Sequence, residues 1–196
     1  MPEQRTVSPG GTSDQYGRQT RRPGTAAPPW FLRVAGALLF AAVASSPAHA
    51  APQCLDSSAA LQGALDDASD GGAGSGSDHV IHLVAGTYAT GGSNFFYKNT
   101  SGHNLEIEGG YSASCASQDL TPGMTLLDAG NVGIVIYAES SGTLAIRHVT
   151  ISHASGSGSA GGGGRINLSA ANATLYFEYN QVVDNLSTYA TGGIEG

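Results

Sequence analysis

Laid on itself with a shift of 31 residues, the second half of the chain repeats. Thr143-Leu-Ala-Ile-Arg-His-Val-Thr-Ile151 falls on Thr174-Leu-Tyr-Phe-Glu-Tyr-Asn-Gln-Val182 with the apolar positions in phase. The same shift lays Gly133 on Gly164, Val135 on Ile166, Tyr137 on Leu168 and Gly161-Gly162 on Gly192-Gly193. A less regular unit precedes these, in which Ile81 and Leu83 reappear as Leu105 and Ile107. Each unit carries two or three short strand-like runs and no helix, so none can bury its apolar face alone, and stacking the units buries a continuous core. Stacked short strands with glycine-rich corners predict an all-β chain folded as a parallel β-helix, a solenoid. A β-sandwich is the competing all-β architecture, and it needs no period.

The local pattern agrees. Short runs rich in Val, Ile and Tyr and bounded by Gly, Ser and Asn occupy 79–84, 104–108, 125–127, 134–138, 143–151, 165–168 and 174–183, which is a strand signature. Glycine, at 29 of 196 residues, disfavours a helical bundle. The one credible helix is Asp56 to Ser69, with Leu55, Leu61, Leu65 and Ala68 near helical spacing and Asp56, Ser57 or Ser58 as caps. The run Asp70 to Asp78 superficially resembles a calcium-binding nonapeptide, but Gly76 stands where an aspartate is needed, and it reads as a flexible linker. The expected organisation is a signal peptide over 1–50, a capping helix and Gly-rich loop over 51–78, and β-helix coils over 79–196.

Residues 1–50 hold five arginines against Glu3 and Asp14, whereas residues 51–196 hold Lys98, Arg147 and Arg165 against thirteen carboxylates. An acidic body of that kind excludes nonspecific nucleic-acid and anionic-membrane binding. The apolar or small run Val34 to Ala44 and the Ala48-His49-Ala50 box read as an export signal cleaved before Ala51, and the run is too short to span a bilayer. Arg21-Arg22 is followed by Pro23-Gly24-Thr25 where a twin-arginine signal wants apolar residues. The mature chain is therefore expected outside the cytoplasm, with no transmembrane segment. Its two cysteines, Cys54 and Cys115, make an even pair that an oxidising compartment would bridge. Two free thiols are the alternative. A metal or redox site would want a third ligand or a C-x-x-C spacing.

The order Cys54, Leu61 to Leu65, Ile81 to Tyr88, Leu105 to Tyr111, Cys115 and Thr125 to Asp128 resembles the N-terminal part of bacterial secreted right-handed parallel β-helix proteins of the pectin-lyase-like superfamily. Nearly all of 54–196 takes part. Phe177-Glu-Tyr-Asn180 and Gly192-Gly-Ile194 are similar to the F-x-x-N and G-G-I elements of polymorphic outer-membrane-protein repeats. The preceding copy has Ile146 and Val149 in place of Phe and Asn. The resemblance implies a right-handed coil, secretion or display at the outer membrane, and a longer protein of which this is the N-terminal part. Solenoids need polar terminal caps, and the stretch Leu186 to Gly196 supplies none, so an open last coil prone to self-association is expected.

Pectate lyases of that superfamily hold calcium with aspartates and use an arginine base. Here the sequence shows no acidic cluster beside Arg147 or Arg165, and Glu139 and Glu178 would share a face only by accident of register. Polygalacturonases want paired strand aspartates and a Gly-His-Gly turn. Asp66-Asp67 falls in the expected helix, Gly102-His103-Asn104 lacks the second glycine, and Arg165-Ile-Asn167 lacks the lysine of their R-I-K motif. His79 and His82, three apart, face opposite sides of a strand, and a bend separates His148 from His153, so neither pair makes a metal site. Asn99, Asn167, Asn172 and Asn185 begin glycosylation sequons and read as turn residues. No catalytic, metal or cofactor residues are assigned. The expected function is a secreted or surface-exposed scaffold, adhesin-like, that meets a polysaccharide or a host or cell-surface partner. A polysaccharide lyase or hydrolase with its site beyond Gly196 is the alternative, and a stalk without a specific ligand is the third reading.

Overall fold

The computed structural model describes residues 51–156, 162–188 and 192–196. The expected signal peptide lies outside the described residues. The elements run β1 (Gln53–Leu55), α1 (Ser58–Ala68), β2 (His79–Val84), β3 (Gly86–Ala89), β4 (Phe95–Asn99), β5 (Leu105–Tyr111), β6 (Thr125–Asp128) and β7 (Ile136–Ser140). They continue β8 (Thr143–Arg147), β9 (Thr150–Ser152), β10 (Ser155–Gly156), β11 (Gly164–Leu168), β12 (Thr174–Glu178), β13 (Gln181–Val183), β14 (Leu186–Ser187) and β15 (Ile194–Glu195).

The strands form three larger sheets and one small pair. The first sheet has the order β1-β2-β5-β8-β12, the second β3-β6-β9-β13, the third β4-β7-β11-β15, and β10 pairs with β14. Every paired strand is parallel to its partner. From β2 onward the chain visits first, second and third sheet in that cyclic order, with β10 and β14 interposed in the last two circuits. The chain is thus β-rich and built of parallel sheets with a single described helix.

Burial follows the period-2 alternation of a strand. In β2 the pattern alternates strictly, with His79, Ile81 and Leu83 inward. Facing strands then build inward columns: Ile81, Ile107, Ile146 and Phe177 stand opposite one another in the first sheet. Tyr88, Leu127, Ile151 and Val182 do the same in the second. Leu144 opposes Leu175, as the 31-residue shift predicts. The first-sheet register of the early unit differs, because His79 opposes Leu105 and Ile81 opposes Ile107, two residues off the expected pairing. A bulge between His82 and Val84 shifts the register by one further residue where β5 runs through Gly109-Gly110, so that Val84 opposes Tyr111. Gly109 is required there, since a Cβ would collide with the His148 carbonyl oxygen.

The 31-residue step also fails in the third sheet, where Gly164 opposes Ile136 rather than Gly133. The cause is the corner after the strand. Two residues, Ser141 and Gly142, join β7 to β8, whereas five, 169–173, join β11 to β12. Two runs expected as continuous strands, 143–151 and 174–183, are each broken at a corner by residues in the left-handed region, His148 (φ 55°) and Tyr179 (φ 58°). His153 (φ 53°) and Asp184 (φ 54°) make the next corner in the same two circuits.

The helix is shorter than expected, capped by Ser57, whose hydroxyl accepts from the Ala60 N–H at 3.3 Å. Its buried face, Leu61, Ala64, Leu65 and Ala68, joins the core. It also covers β4, the edge strand of the third sheet. Gln62 Nε2 donates to the Phe96 carbonyl and Gln62 Oε1 accepts from the Phe96 N–H, both at 3.0 Å, so one side-chain amide stands in for a missing strand. The run 70–78 is not a linker but folded turns tied to the body. Asp70 accepts from the Thr100 N–H at 3.0 Å, Asp78 from the Asn104 N–H at 2.9 Å, and Asn99 Nδ2 donates to the Ser75 carbonyl at 3.2 Å.

Candidate functional site

Strand alternation aims the complementary columns of the first sheet at solvent. One outward column runs Cys54, His82, Glu108, Arg147, Glu178 and the next runs Val80, Glu106, Ala145, Tyr176. Residues from β5, β8 and β12, up to 72 positions apart in sequence (178 − 106), therefore meet on one face. Arg147 lies at their centre. Its Nη1 donates to Glu106 Oε1 at 2.6 Å and lies 3.7 Å from Glu108 Oε1, and its Nε donates to Glu178 Oε2 at 2.9 Å. The guanidinium carbon sits 5.6 Å from the centre of the Tyr176 ring. The expectation that no acidic cluster surrounds Arg147 is thus corrected, and Glu178 reaches the shared face because it directly opposes Arg147.

The electrostatics follow from three carboxylates sharing one guanidinium. Burial and the neighbouring Glu108 carboxylate raise the Glu106 pKa above the ordinary carboxyl value, against the pull of Arg147. The hydrogen bond that Arg147 donates to Glu178 leads the effects that raise the Arg147 pKa. Tyr111 donates its hydroxyl to Glu108 Oε2 at 2.9 Å and stacks on His82 with ring centres 4.0 Å apart. Burial, with the Glu108 carboxylate behind it, pushes the Tyr111 phenol up to about 12. A pocket of about 220 Å³ opens beside this cluster, bounded among others by Val80, Glu106, Ala145, Arg147 and Tyr176. Arg147 is engaged on three sides, so the arrangement holds and orients charge; its guanidinium is a fixed donor.

A Ser152, His153 and Asp128 grouping at the second-sheet corner is the other constellation with catalytic residue types. Ser152 Oγ and Asp128 Oδ2 each lie 3.2 Å from the same atom, His153 Nδ1. A nucleophile relay needs the two partners on different ring nitrogens, so this corner is a hydrogen-bonded turn. On the third sheet Phe96 stacks on Tyr137 at 5.5 Å, Lys98 pairs with Glu139 at 3.2 Å, and Asn167 Nδ2 donates to the Tyr137 hydroxyl at 3.2 Å. Arg165 opposes Tyr137 in the same sheet and its Nε lies 3.4 Å from Asn167 Oδ1.

The remaining sequence candidates fall as follows. His79 is buried and His82 outward, on opposite faces as the spacing requires. His148 stacks on Tyr179, its counterpart one circuit on, at 5.1 Å. Among the described residues no group of three or more His, Cys, Asp or Glu side chains is placed to hold a metal ion. Of the sequon asparagines, Asn99 is buried at 1% exposure, Asn167 lies within β11 and not in a turn, and Asn172 and Asn185 occupy corners. Cys54 and Cys115 are joined in a disulfide, with Cα atoms 5.9 Å apart.

Comparison with known protein families, with curated proteins and with solved structures finds no match. The functional reading therefore rests on the geometry and on the sequence.

The first-sheet cluster escaped sequence reasoning because no two of Glu106, Arg147 and Glu178 are near in sequence. The 31-residue shift places Glu178 on Arg147. Aligning Ile107 with Ile146 by their shared inward phase would have placed Glu106 and Glu108 alongside as well.

Proposed function

We propose that the described strands are coils of a right-handed parallel β-helix, and that the protein is a secreted or surface-exposed scaffold presenting its flank to a partner. The observation that carries this reading is the cyclic order of the strands. Each strand pairs in parallel with its equivalent one circuit later, so outward columns line up along the stack and offer continuous faces. The disulfide fits an oxidising compartment. Among the described residues no helix is long and apolar enough to cross a membrane. The geometry of the outer faces favours binding over chemistry, because Arg147 is held by three carboxylates and His153 meets both of its partners through one nitrogen.

Export supplies the test. The chain expressed with its own leader should appear outside the cytoplasm, with an intact mass that begins at Ala51. It should leave polygalacturonate undegraded, with or without calcium. Cytoplasmic retention with residues 34–50 in place would overturn the secreted reading, and depolymerisation would overturn the scaffold reading.

A further inference from the structure

We propose that the open edge of β3, with the groove between that edge and the first turn of α1, binds an extended, basic segment of a partner protein as an added strand of the second sheet. The proposal goes beyond the scaffold reading, because it places a partner at the end of the stack rather than on its flank, and it needs only the strand order.

The N-terminal end of the stack is covered unevenly. In the first sheet β1 pairs with β2 from Gln53 to Leu55 and covers it. In the third sheet the Phe95 N–H and the Asn99 carbonyl bond on the β7 side, so Phe96, Lys98 and Thr100 turn their backbone groups away from β7. All three are met. Gln62 brackets Phe96, Ser69 Oγ accepts from the Lys98 N–H at 3.0 Å, the Asp70 N–H donates to the Lys98 carbonyl at 2.7 Å, and the Asp70 carboxylate takes the Thr100 N–H.

The second sheet has no such cover, and β3 is its edge strand. The Gly86 and Thr90 N–H groups donate to the Met124 and Asp128 carbonyls at 2.7 and 2.9 Å, so Thr87 and Ala89 turn their N–H and C=O groups away from β6. Nothing among the described residues bonds to those groups, and Thr87 and Ala89 are both exposed. A strand edge of this kind is a template for pairing.

The chemistry of the edge selects its occupant. One donor and one acceptor recur at every second residue, about 6.7 Å apart, and an extended backbone repeats its own groups at the same spacing, which is the basis of strand addition. There is room for it. Gln62 and Ser69 hold α1 to the third sheet, and a cavity of about 320 Å³ remains between Ser58 and Ala59 on the helix and Ala89 and Thr90 on the strand side. The core is already closed at this point, since Tyr88 is 1% exposed and its hydroxyl donates to the Leu55 carbonyl at 2.6 Å. The added strand is therefore held by its backbone, with the cavity taking a side chain.

Charge narrows the partner further. Residues 51–196 carry three Lys and Arg against thirteen carboxylates. Asp128 directly opposes Ala89 in the outward column of the second sheet. A lysine or arginine placed opposite Ala89 lays its methylenes on that short side chain and brings its head toward the carboxylate.

The test is calorimetric titration of the full chain with the peptide acetyl-Lys-Val-Lys-Val-Lys-amide. Saturable binding is expected. Two N-methylated versions, one methylated at the lysines and one at the valines, keep the charge but block opposite edges of the peptide, so one should lose binding and the other keep it. Ala89→Pro removes an edge N–H and should raise Kd about tenfold, with the melt retained because an edge strand tolerates proline where the N–H faces solvent. Ala89→Lys leaves the backbone intact, sets like charge against the peptide and should raise Kd severalfold, a second reading if the proline disturbs folding. Equal loss or no loss from the two methylation patterns would mean that charge alone holds the peptide and would overturn the edge. So would unchanged binding by both Ala89 variants, or no saturable binding. A dimer of the chain alone in sedimentation, abolished by Ala89→Lys, would assign the edge to a second copy and overturn the foreign partner. None of these outcomes bears on export, so the scaffold reading stands or falls separately.

Discussion

Truncating Asn180 to alanine removes both ends of an amide bracket that closes a corner of the preceding circuit. Asn180 Oδ1 accepts from the Val149 N–H at 3.1 Å and its Nδ2 donates to the Ile146 carbonyl at 2.8 Å. Val149 is 2% exposed and lies outside the strands, so its N–H depends on that oxygen. A hydrogen bond contributes about 1 kcal/mol net, and an orphaned buried donor costs about 1–3 kcal/mol. Asn180→Ala should therefore destabilise by about 2–3 kcal/mol and lower Tm by roughly 5–10 °C for a chain of this size. Asn180→Asp separates the two bonds. It keeps an acceptor for Val149 but sets a carboxylate oxygen against the Ile146 carbonyl, which raises the folded-state pKa of the new acid. An acid with a raised folded pKa leaves stability intact below its unfolded value, about 3.9, and loses it as pH rises through the folded value. The Asp variant should thus approach the wild type in acid and resemble Asn180→Ala at neutral pH. Calorimetric melts with hydrogen exchange at Val149 provide the assay. The reasoning fails if Asn180→Ala costs no more than Asn172→Ala at an exposed corner, which should stay within about 0.5 kcal/mol.

Reducing the Cys54–Cys115 disulfide, which closes a separation of 61 residues, should cost about 4 kcal/mol by the loop-entropy relation; a denatured, unreduced thiol count of zero checks the bond, and urea melts check the cost. Phe177→Asp puts a charge where the side chain packs on the core, and should cost several kcal/mol, whereas Glu178→Ala, on the outer face, should stay within about 1 kcal/mol despite losing its Arg147 contact. Equal losses in the two melts would mean the register is wrong. Glu106→Gln removes a carboxyl whose folded pKa is raised, and whose contribution is therefore lost as pH rises through that value; the stability of this variant relative to wild type should climb as pH rises above the ordinary glutamate value of about 4.3, and a flat or falling difference in urea melts would contradict the raised carboxyl.

How far the sequence could be read differs between inward and outward residues. Inward columns were legible because they obey two constraints at once, alternation along a strand and repetition between circuits. Leu144 with Leu175 and Ile151 with Val182 satisfy both. The strands β3 and β4 were missed: Gly86–Ala89 is short and opens on glycine, and Phe95–Asn99 carries Lys98 and Asn99. Asn99 is buried as a bracket to the Ala68 carbonyl at 2.8 Å, a partner supplied by the helix end and invisible to strand pattern. The outward cluster was missed for a different reason. No burial requirement fixes an outward residue, so its neighbours emerge only once the inward register is known.

Variable corners explain why that register survives at all. Corners between first and second sheet hold one residue after β2 and two after β8 and β12, but thirteen, Ser112 to Met124, after β5. An insertion of that size adds chain entropy to the folded protein's loop and leaves the flanking strands free to slip unless its course is fixed. Here it is fixed three times. The disulfide ties Cys115 back to β1, the Asp119 N–H donates to the Gly110 carbonyl at 2.7 Å, and Gln118 Nε2 donates to the Gly109 carbonyl at 2.9 Å. Since Gly109 and Gly110 lie in the same strand that carries Glu106 and Glu108, these tethers hold both glutamates in register with Arg147. The disulfide and the charge cluster are then linked through β5: slippage there by a single residue would turn Glu106 and Glu108 inward and Ile107 out.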